Sequence, residues 1–394
     1  MADVYKLHNK IKHYEWGSAE ILPEFLGIEN SSAKPYAEMW MGTHNAASSQ
    51  VELDGKLLDL LEFSGELPFL FKLLAVGKPL SIQAHPDKKQ AVIGFNKEEA
   101  AGLTLTAPTR NYKDSNHKPE IICAITPITL MAGFREPEKI HKALEAFLAK
   151  ALPVKEIFNP LLSALVSGSL LDFFNTLFNF SRIEREYLCT FINETKDYEA
   201  DGVITDDQWK LMKYFAALYP MDPAVIAPLY LNILTIQPGQ AIYIPAGVLH
   251  AYISGFGAEL MSNSDNVLRG GLTPKYVDID ELANILHFVP FIPQIITPPA
   301  SKSWFSYHTP CKEFLLSCMR TGAENIFPEN GPAICIVTDG ELKVCGKTFK
   351  KSESFFIPQG NAPLFFEGDF SLFSACKGGR FFLPKSRWSV TGIK

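Results

Sequence analysis

No two of the seven cysteines stand in a C-x-x-C pair: Cys123, Cys189, Cys311, Cys318, Cys335, Cys345 and Cys376 are odd in number and scattered. That argues against a structural zinc knuckle and suits reduced thiols in a cytosolic protein. Long apolar runs are missing too. No stretch approaches the ~18 residues of a membrane helix, and the opening MADVYKLHNK lacks an apolar signal core. A cytoplasmic protein with no membrane partner is expected. Nor is there an excess of positive charge. With 37 basic and 43 acidic residues the net charge is −6, which argues against nucleic acid as the main partner, because phosphate neutralisation needs a basic face. A local basic site for a small phosphorylated ligand stays open.

The chain has 394 residues, 47% of them hydrophobic and 20% charged, enough for two or three domains and more than one core. Segment 1–135 carries short apolar runs broken by turn residues, such as LPFLFKLLAVGKPLSIQAHP and EIICAITPITLMAGF, and reads as all-β. Residues 136–222 change character. Ile140, Leu144, Phe147 and Leu148 form one helical stripe with Pro137 near its start, and Thr205 with Gln208 makes a capping box before a run that ends at Pro220. This reads as a helical insert. Strand patterns return over 223–295, pass through the proline-rich VPFIPQIITPPA, and continue in a β-rich section over 296–394. GQAIYIPAGVLHAY (239–252) and SESFFIPQGNAPLFF (352–366) share an apolar strand followed by I-P-x-G, with Pro363 where the first copy has His250. Two related β modules are expected, only the first keeping a ligand.

SIQAHPDKKQ (81–90) places Gln83 and His85 two residues apart in a strand-like stretch, so that both face one way. His250 follows a P-x-G turn, and Glu120 follows Pro119 at the head of an apolar strand. Each has a plain reading alone: a surface histidine, a turn-capping glutamate, a structural amide. Together, two imidazoles and a carboxylate from separate strands make the usual open shell of a catalytic divalent metal, with Gln83, a water or the substrate as fourth donor. Iron(II) suits the same set. Lys72 interrupts FLFKLLAV, where a charge needs water, a partner or a ligand.

The spacing G-x5-P-x-G-x-x-H, Gly239 to His250, resembles the second motif of cupin barrels, small double-sheet jelly rolls. YEWGS (14–18), EMWMGTH (38–44), SIQAHPD (81–87), YKDSNHKPE (112–120), IPAGVLHAY (244–252) and SDNVLRGGLTPKYVD (264–278) together resemble the type I mannose-6-phosphate isomerases. The resemblance implies a mainly β protein: two cupin-type jelly-roll modules with an α-helical domain inserted. The catalytic module would comprise 1–135 and 223–295, and a metal-free module 296–394. It implies one Zn2+ per chain on Gln83, His85, Glu120 and His250. It further implies a monomer acting on a sugar phosphate in carbohydrate metabolism, ahead of GDP-mannose. The implied reaction opens the ring of mannose 6-phosphate and moves a proton between C1 and C2 through an enediol to give fructose 6-phosphate. That reaction needs an acid/base, a stabiliser of negative oxygen and a grip on phosphate.

By the same resemblance Lys118 lies in the pocket as a proton-transfer group, and Lys72 serves ring opening or phosphate contact. Arg269, beside Gly270 and Gly271, stabilises the enediolate or aids proton transfer. Asp265 and Glu259 are acid/base or orienting groups. Trp16, Glu38, Trp40 and His44 are pocket candidates, and Ser81 a phosphate donor. Two other classes fit part of the pattern. A non-catalytic sugar-binding cupin explains the barrel but not the lysines and arginine around the ligands. An iron(II) cupin oxygenase would ordinarily use more histidine than the two present, and Gln83 speaks against it.

Overall fold

The strand Phe69–Val76 explains much of the architecture, because every one of its residues is buried. In the computed structural model, which describes residues 3–150, 155–166, 168–195, 202–322, 326–327, 331–360 and 364–379, it lies inside an eleven-stranded sheet. Glu38–Gly42 pairs antiparallel on one side and the long strand His250–Ser262 on the other, followed by Glu120–Ala124 and Ala241–Ile244. Side chains of a strand alternate faces. Phe69, Phe71, Leu73 and Ala75 therefore join one core with Met39, Met41, Ile121, Cys123, Ala258 and Leu260. Leu74 and Val76 join the opposite core with Ile122, Ala124, Leu130, Ile244 and Tyr252. Lys72 has the parity of Leu74 and is carried inward with it. Each fully buried Leu, Ile or Phe contributes roughly 1.5–3 kcal/mol, so the apolar majority sets the register and the one lysine must follow.

The helices Pro137–Lys150, Lys155–Val166, Leu170–Phe178, Arg182–Glu194 and Asp206–Leu218 follow one another in the chain and form a helical region. Ile140, Leu144, Phe147 and Leu148 are all buried, and Thr205 and Gln208 cap each other reciprocally. The helical core extends onto the sheet. It includes Ile82 and Ala84, which flank Gln83; Leu249 and Ala251, which flank His250; and Leu268, which precedes Arg269. Alternation then turns Gln83, His250 and Arg269 away from the helices, toward a common side.

Two expectations need correction. Segment 1–135 is not all-β: it contains the helices Ile21–Leu26, Leu60–Ser64 and Lys88–Ala100. The last starts at a capping box of Asp87 and Gln90, but it buries only Ala91, Gly94 and Glu98, so no apolar stripe announces it. The strand holding Gln83 is shorter than SIQAHP suggests, covering Gln83–Ala84 alone.

A nine-stranded sheet holds six of the strands after residue 300 together with three from the chain's start, while Ile326–Phe327 and Leu364–Phe365 pair by themselves. Tyr5–His8 pairs with Ser354–Ile357, and Gln50–Leu53 and Lys56–Asp59 extend that edge. The two I-P-x-G segments follow the strands Ala241–Ile244 and Ser354–Ile357, and both glycines turn at positive φ, 73° at Gly247 and 80° at Gly360. Pro363 lies outside the described residues. The later sheet packs behind the Glu120 strand, where buried Tyr307 donates to the Gly239 carbonyl at 2.7 Å and Cys123 donates to Tyr307 at 3.2 Å. Among the described residues every cysteine is a free thiol, and no helix is long and apolar enough to cross a membrane.

Candidate active site and metal centre

His85, Glu120 and His250 bring one donor atom each to within 4.8 Å of one another, and all three are buried. Their side chains are 0–1% exposed. Glu120 and His250 each open a strand, His85 follows the end of the strand Gln83–Ala84, and Gln83 pairs with His250 across the sheet. His85 Nδ1 lies 2.7 Å from the Asn266 carbonyl and His250 Nδ1 lies 3.0 Å from the Val248 carbonyl. A carbonyl only accepts, so both Nδ1 atoms carry the proton. Burial and then Lys118 lower the His85 pKa to about 4, which keeps that ring neutral. Its Nε2 lone pair points at Glu120 Oε1, 3.2 Å away, and His250 Nε2 lies 3.3 Å from Glu120 Oε2. His85 Nε2 and Glu120 Oε2 have no hydrogen-bond partner. Acceptors aimed at one another in a dry interior are costly unless a cation joins them. Imidazoles whose Nδ1–H is held by a carbonyl, with Nε2 turned to the ion, are the usual form of histidine ligands, so the donor set fits a divalent metal.

The Gln83 amide stands 3.4 Å from His250 Nε2. Its nitrogen and oxygen are nearly isosteric, and turning the amide presents an acceptor instead. Gln83→Leu keeps the volume and removes that donor. Metal affinity should fall roughly 10–100-fold, read as zinc content after dialysis against graded chelator. An unchanged affinity would remove Gln83 from the donor set.

Lys118, also buried, lies 2.8 Å from Glu120 Oε1. Burial alone would raise the Glu120 pKa, but Lys118 and His85 outweigh it and hold the carboxyl well below its ordinary range. A second buried group lies along the same sheet. Register places Trp40, Lys72, Glu259 and Ile122 in one cross-strand row. Lys72 Nζ is 3.5 Å from Glu259 and 3.8 Å from Glu38, which accepts a hydrogen bond from Trp40 Nε1. Burial opposes the Lys72 charge, yet Glu38 and Glu259 raise its pKa above the ordinary value. The lysine is thus a buried cation between two acids, not the exposed residue of a half-buried strand.

Glu259 carries most of the electrostatic strain. Burial raises its pKa, Lys72 lowers it, and Glu120 and Glu38 raise it again, leaving about 7. An unfolded glutamate titrates near ~4.3. A folded-state value above the unfolded one favours folding below ~4.3 and loses that contribution as pH rises through the folded value. The metal-free protein should therefore lose roughly 2–3 kcal/mol between about pH 5 and 8, and Glu259→Gln should abolish that part of the slope. Urea unfolding at several pH values reads this; identical slopes in both proteins would contradict it.

Asp265 lies 3.3 Å from His44 Nε2, and His44 packs edge-on against Trp40, ring centres 4.9 Å apart. Burial raises the Asp265 pKa, but His44, Lys113 and Lys118 prevail and hold it at about 2. Arg269 pairs through its backbone with Gln83. Its guanidinium is half-buried with no hydrogen bond or ion pair among the described residues. Trp16 stacks on Tyr14 at 5.8 Å, and Tyr14 has its pKa raised by burial and then by Glu38. Ser81 is half-buried with no side-chain partner among the described residues.

Sequence reasoning passed over two features. Asn266 is fully buried. Its Oδ1 accepts from Lys113 N and Asp114 N, its Nδ2 donates to the Asp114 and Asn116 carbonyls, and its own carbonyl orients His85. One asparagine thus joins the His85 ligand to the loop leading to Lys118 and Glu120. An asparagine in SDN looks like any turn residue. Lys275, exposed, has its pKa lowered by burial and then by the charges of Arg269 and Lys113, so the three cations lie near enough to repel one another.

A mainly β protein whose sheets gather two imidazoles and a carboxylate beside a buried lysine has the donor set of a divalent-metal protein with a cupin-like fold. Residues 4–137 match the family model of the phosphomannose isomerase type I catalytic domain. The mannose-6-phosphate isomerase of Escherichia coli K12 is 35% identical over 387 residues, covering 92% of this chain and 97% of that one. The human mannose-6-phosphate isomerase is 34% identical over 323 residues, with 73% and 74% covered. The chain belongs to the type I mannose-6-phosphate isomerase family. Among solved structures, a zinc-bound mannose 6-phosphate isomerase superimposes with TM-score 0.83 at 33% identity, covering 96% of this chain and 100% of that one. The Salmonella typhimurium enzyme, solved with its substrate and a zinc atom bound, gives TM-score 0.83 at 32% identity with the same coverage.

Proposed function

We propose that this chain interconverts mannose 6-phosphate and fructose 6-phosphate, with one zinc ion held by Gln83, His85, Glu120 and His250. The observation that carries the reading is the buried, acceptor-only cluster of His85, Glu120 and His250 with Lys118 2.8 Å from its carboxylate, in a chain whose relatives bear this activity in their names. When bound, the zinc polarises sugar oxygens and stabilises the negative charge that develops on them. Everything else is asked of the chain's own groups.

Isomerisation removes a proton from C2 and returns one to C1, while the two oxygens exchange a proton through an enediol. Glu259, held at about 7, has the ionisation best matched to proton transfer near neutrality. Lys72 fixes its orientation from 3.5 Å away and lies 3.8 Å from Glu38. Lys118 supplies a second buried cation next to the donor cluster. Asp265, ionised and braced by His44, orients hydroxyl groups. Arg269, Lys113 and Lys275 form a cationic mouth that suits a phosphate, with Ser81 as a further donor. Trp16, Trp40 and Tyr14 offer aromatic surface for a sugar ring. The catalytic module in this reading comprises 1–135 and 223–295, 136–222 is the insert, and 296–394 is a supporting module without metal.

A coupled assay on mannose 6-phosphate, run before chelation, after it and after zinc return, tests the proposal. Turnover should vanish on chelation and recover with zinc. Full activity after thorough metal removal would defeat the metal role, and no turnover in zinc-replete protein would favour a sugar-binding cupin.

A further inference from the structure

The turn after Arg269 has a backbone that its own sequence does not favour. Leu272 is buried at φ 53°, and Gly271 sits at φ 109°. A left-handed leucine brings its Cβ too close to the following carbonyl oxygen and persists only where its surroundings over-determine it. One side of those surroundings is the ligand strand: Gly270 N donates to the Ile82 carbonyl at 2.7 Å, and Ile82 N donates to the Gly271 carbonyl at 3.0 Å. The other side is the end of the helical region. Asp222 Oδ1 accepts from Ala224 N at 2.9 Å and Oδ2 accepts from Thr273 N at 3.3 Å. The approach is tight, since a Cβ at Gly271 would lie 2.3 Å from Ala224 Cβ and 3.0 Å from Asp222 Oδ1. Leu272, Ala224 and Val225 share one core. Arg269 itself has no side-chain partner among the described residues, so its placement depends on this turn.

We propose that Asp222 is a positioning residue for the isomerase reaction: a carboxylate of the helical region that locks the 270–273 turn and thereby aims the Arg269 guanidinium into the active site. The inference rests on the reading of Arg269 as an active-site cation. It gives the helical region a part in turnover that no contact with substrate requires, because a small misplacement of a catalytic group costs up to ~100-fold in rate.

Zinc-loaded full-length protein carrying Asp222→Ala, Asp222→Asn, Arg269→Ala, and Asp222→Ala with Arg269→Ala tests this, with kcat, KM, zinc content and melting temperature measured on each. Asp222→Ala should lower kcat about 10–100-fold at unchanged zinc content. The near-isosteric Asp222→Asn keeps one acceptor oxygen and should fall between it and the parent, which serves if the alanine variant does not fold. In the Arg269→Ala background the Asp222 substitution should cost little more, because the group it aims is gone. A general structural role would instead lower kcat equally in both backgrounds, and that result overturns the inference. Loss of turnover in Arg269→Ala with normal turnover in both Asp222 variants overturns it while leaving the Arg269 reading intact. Normal turnover in Arg269→Ala overturns both.

Discussion

His250→Ala is expected to lose the metal and, with it, at least ~1,000-fold in kcat/KM, the equivalent of roughly 4 kcal/mol of transition-state stabilisation. His250 is 0% exposed, and its Nδ1 is already committed to the Val248 carbonyl at 3.0 Å. Alanine leaves a cavity and offers no donor that a neighbour could replace. Gln83, His85 and Glu120 remain, but three donors, one of them a neutral amide, hold a divalent ion far less tightly than the full set. Metal analysis of the purified variant, alongside its melting curve, separates loss of the ion from loss of the fold. Stoichiometric zinc in a folded His250→Ala, or parental turnover, would exclude His250 from the donors. Gln83→Leu should cost less by the same measure, since an amide is the weaker donor.

Lys72→Met is expected to destabilise the protein by about 3–5 kcal/mol near pH 8, the usual consequence of leaving a buried charge unpaired. Methionine approximates the length of the lysine stem but supplies no cation. Glu38 and Glu259, at 3.8 and 3.5 Å from the ammonium, would then face each other inside the barrel. The deficit should shrink on acidification, because protonation removes the repulsion and Glu259 titrates at about 7 even beside Lys72. Chemical unfolding of the metal-free parent and variant at about pH 5 and 8 measures this. A pH-independent difference below ~1 kcal/mol would mean that the lysine is not the counter-ion of the pair. Turnover should also fall, since the row Trp40, Lys72, Glu259 lines the barrel interior.

The sequence made the donor cluster readable for a physical reason. Metal ligands must be particular residue types, and the prolines and glycines near His85, Glu120 and His250 punctuate strand ends, where His85 follows Gln83–Ala84 and where Glu120 and His250 each open a strand. The stripe Ile140, Leu144, Phe147 and Leu148 was readable because its burial has the period of a helix. Pairing was not. Nothing local in YKLH says that its partner is SFFI, far along the chain, yet Tyr5 pairs with Phe356. The neighbours of Lys72 were hidden in the same way, since Glu38 and Glu259 reach it only through strand register. Asn266 escaped because its burial and its five side-chain hydrogen bonds are properties of the folded loop, not of the tripeptide SDN. The helix Lys88–Ala100 escaped because its buried face consists of Ala91, Gly94 and Glu98, which carry no apolar signal.

The central claim is that one cation is bound where His85, Glu120 and His250 converge, and anomalous diffraction from crystals of zinc-replete protein, recorded on both sides of the zinc edge, tests it most directly. A single peak should appear with Nε2 of His85 and of His250 and a Glu120 oxygen each about 2.0–2.2 Å from it. No peak among these three side chains, or a peak held by other residues, would contradict the account.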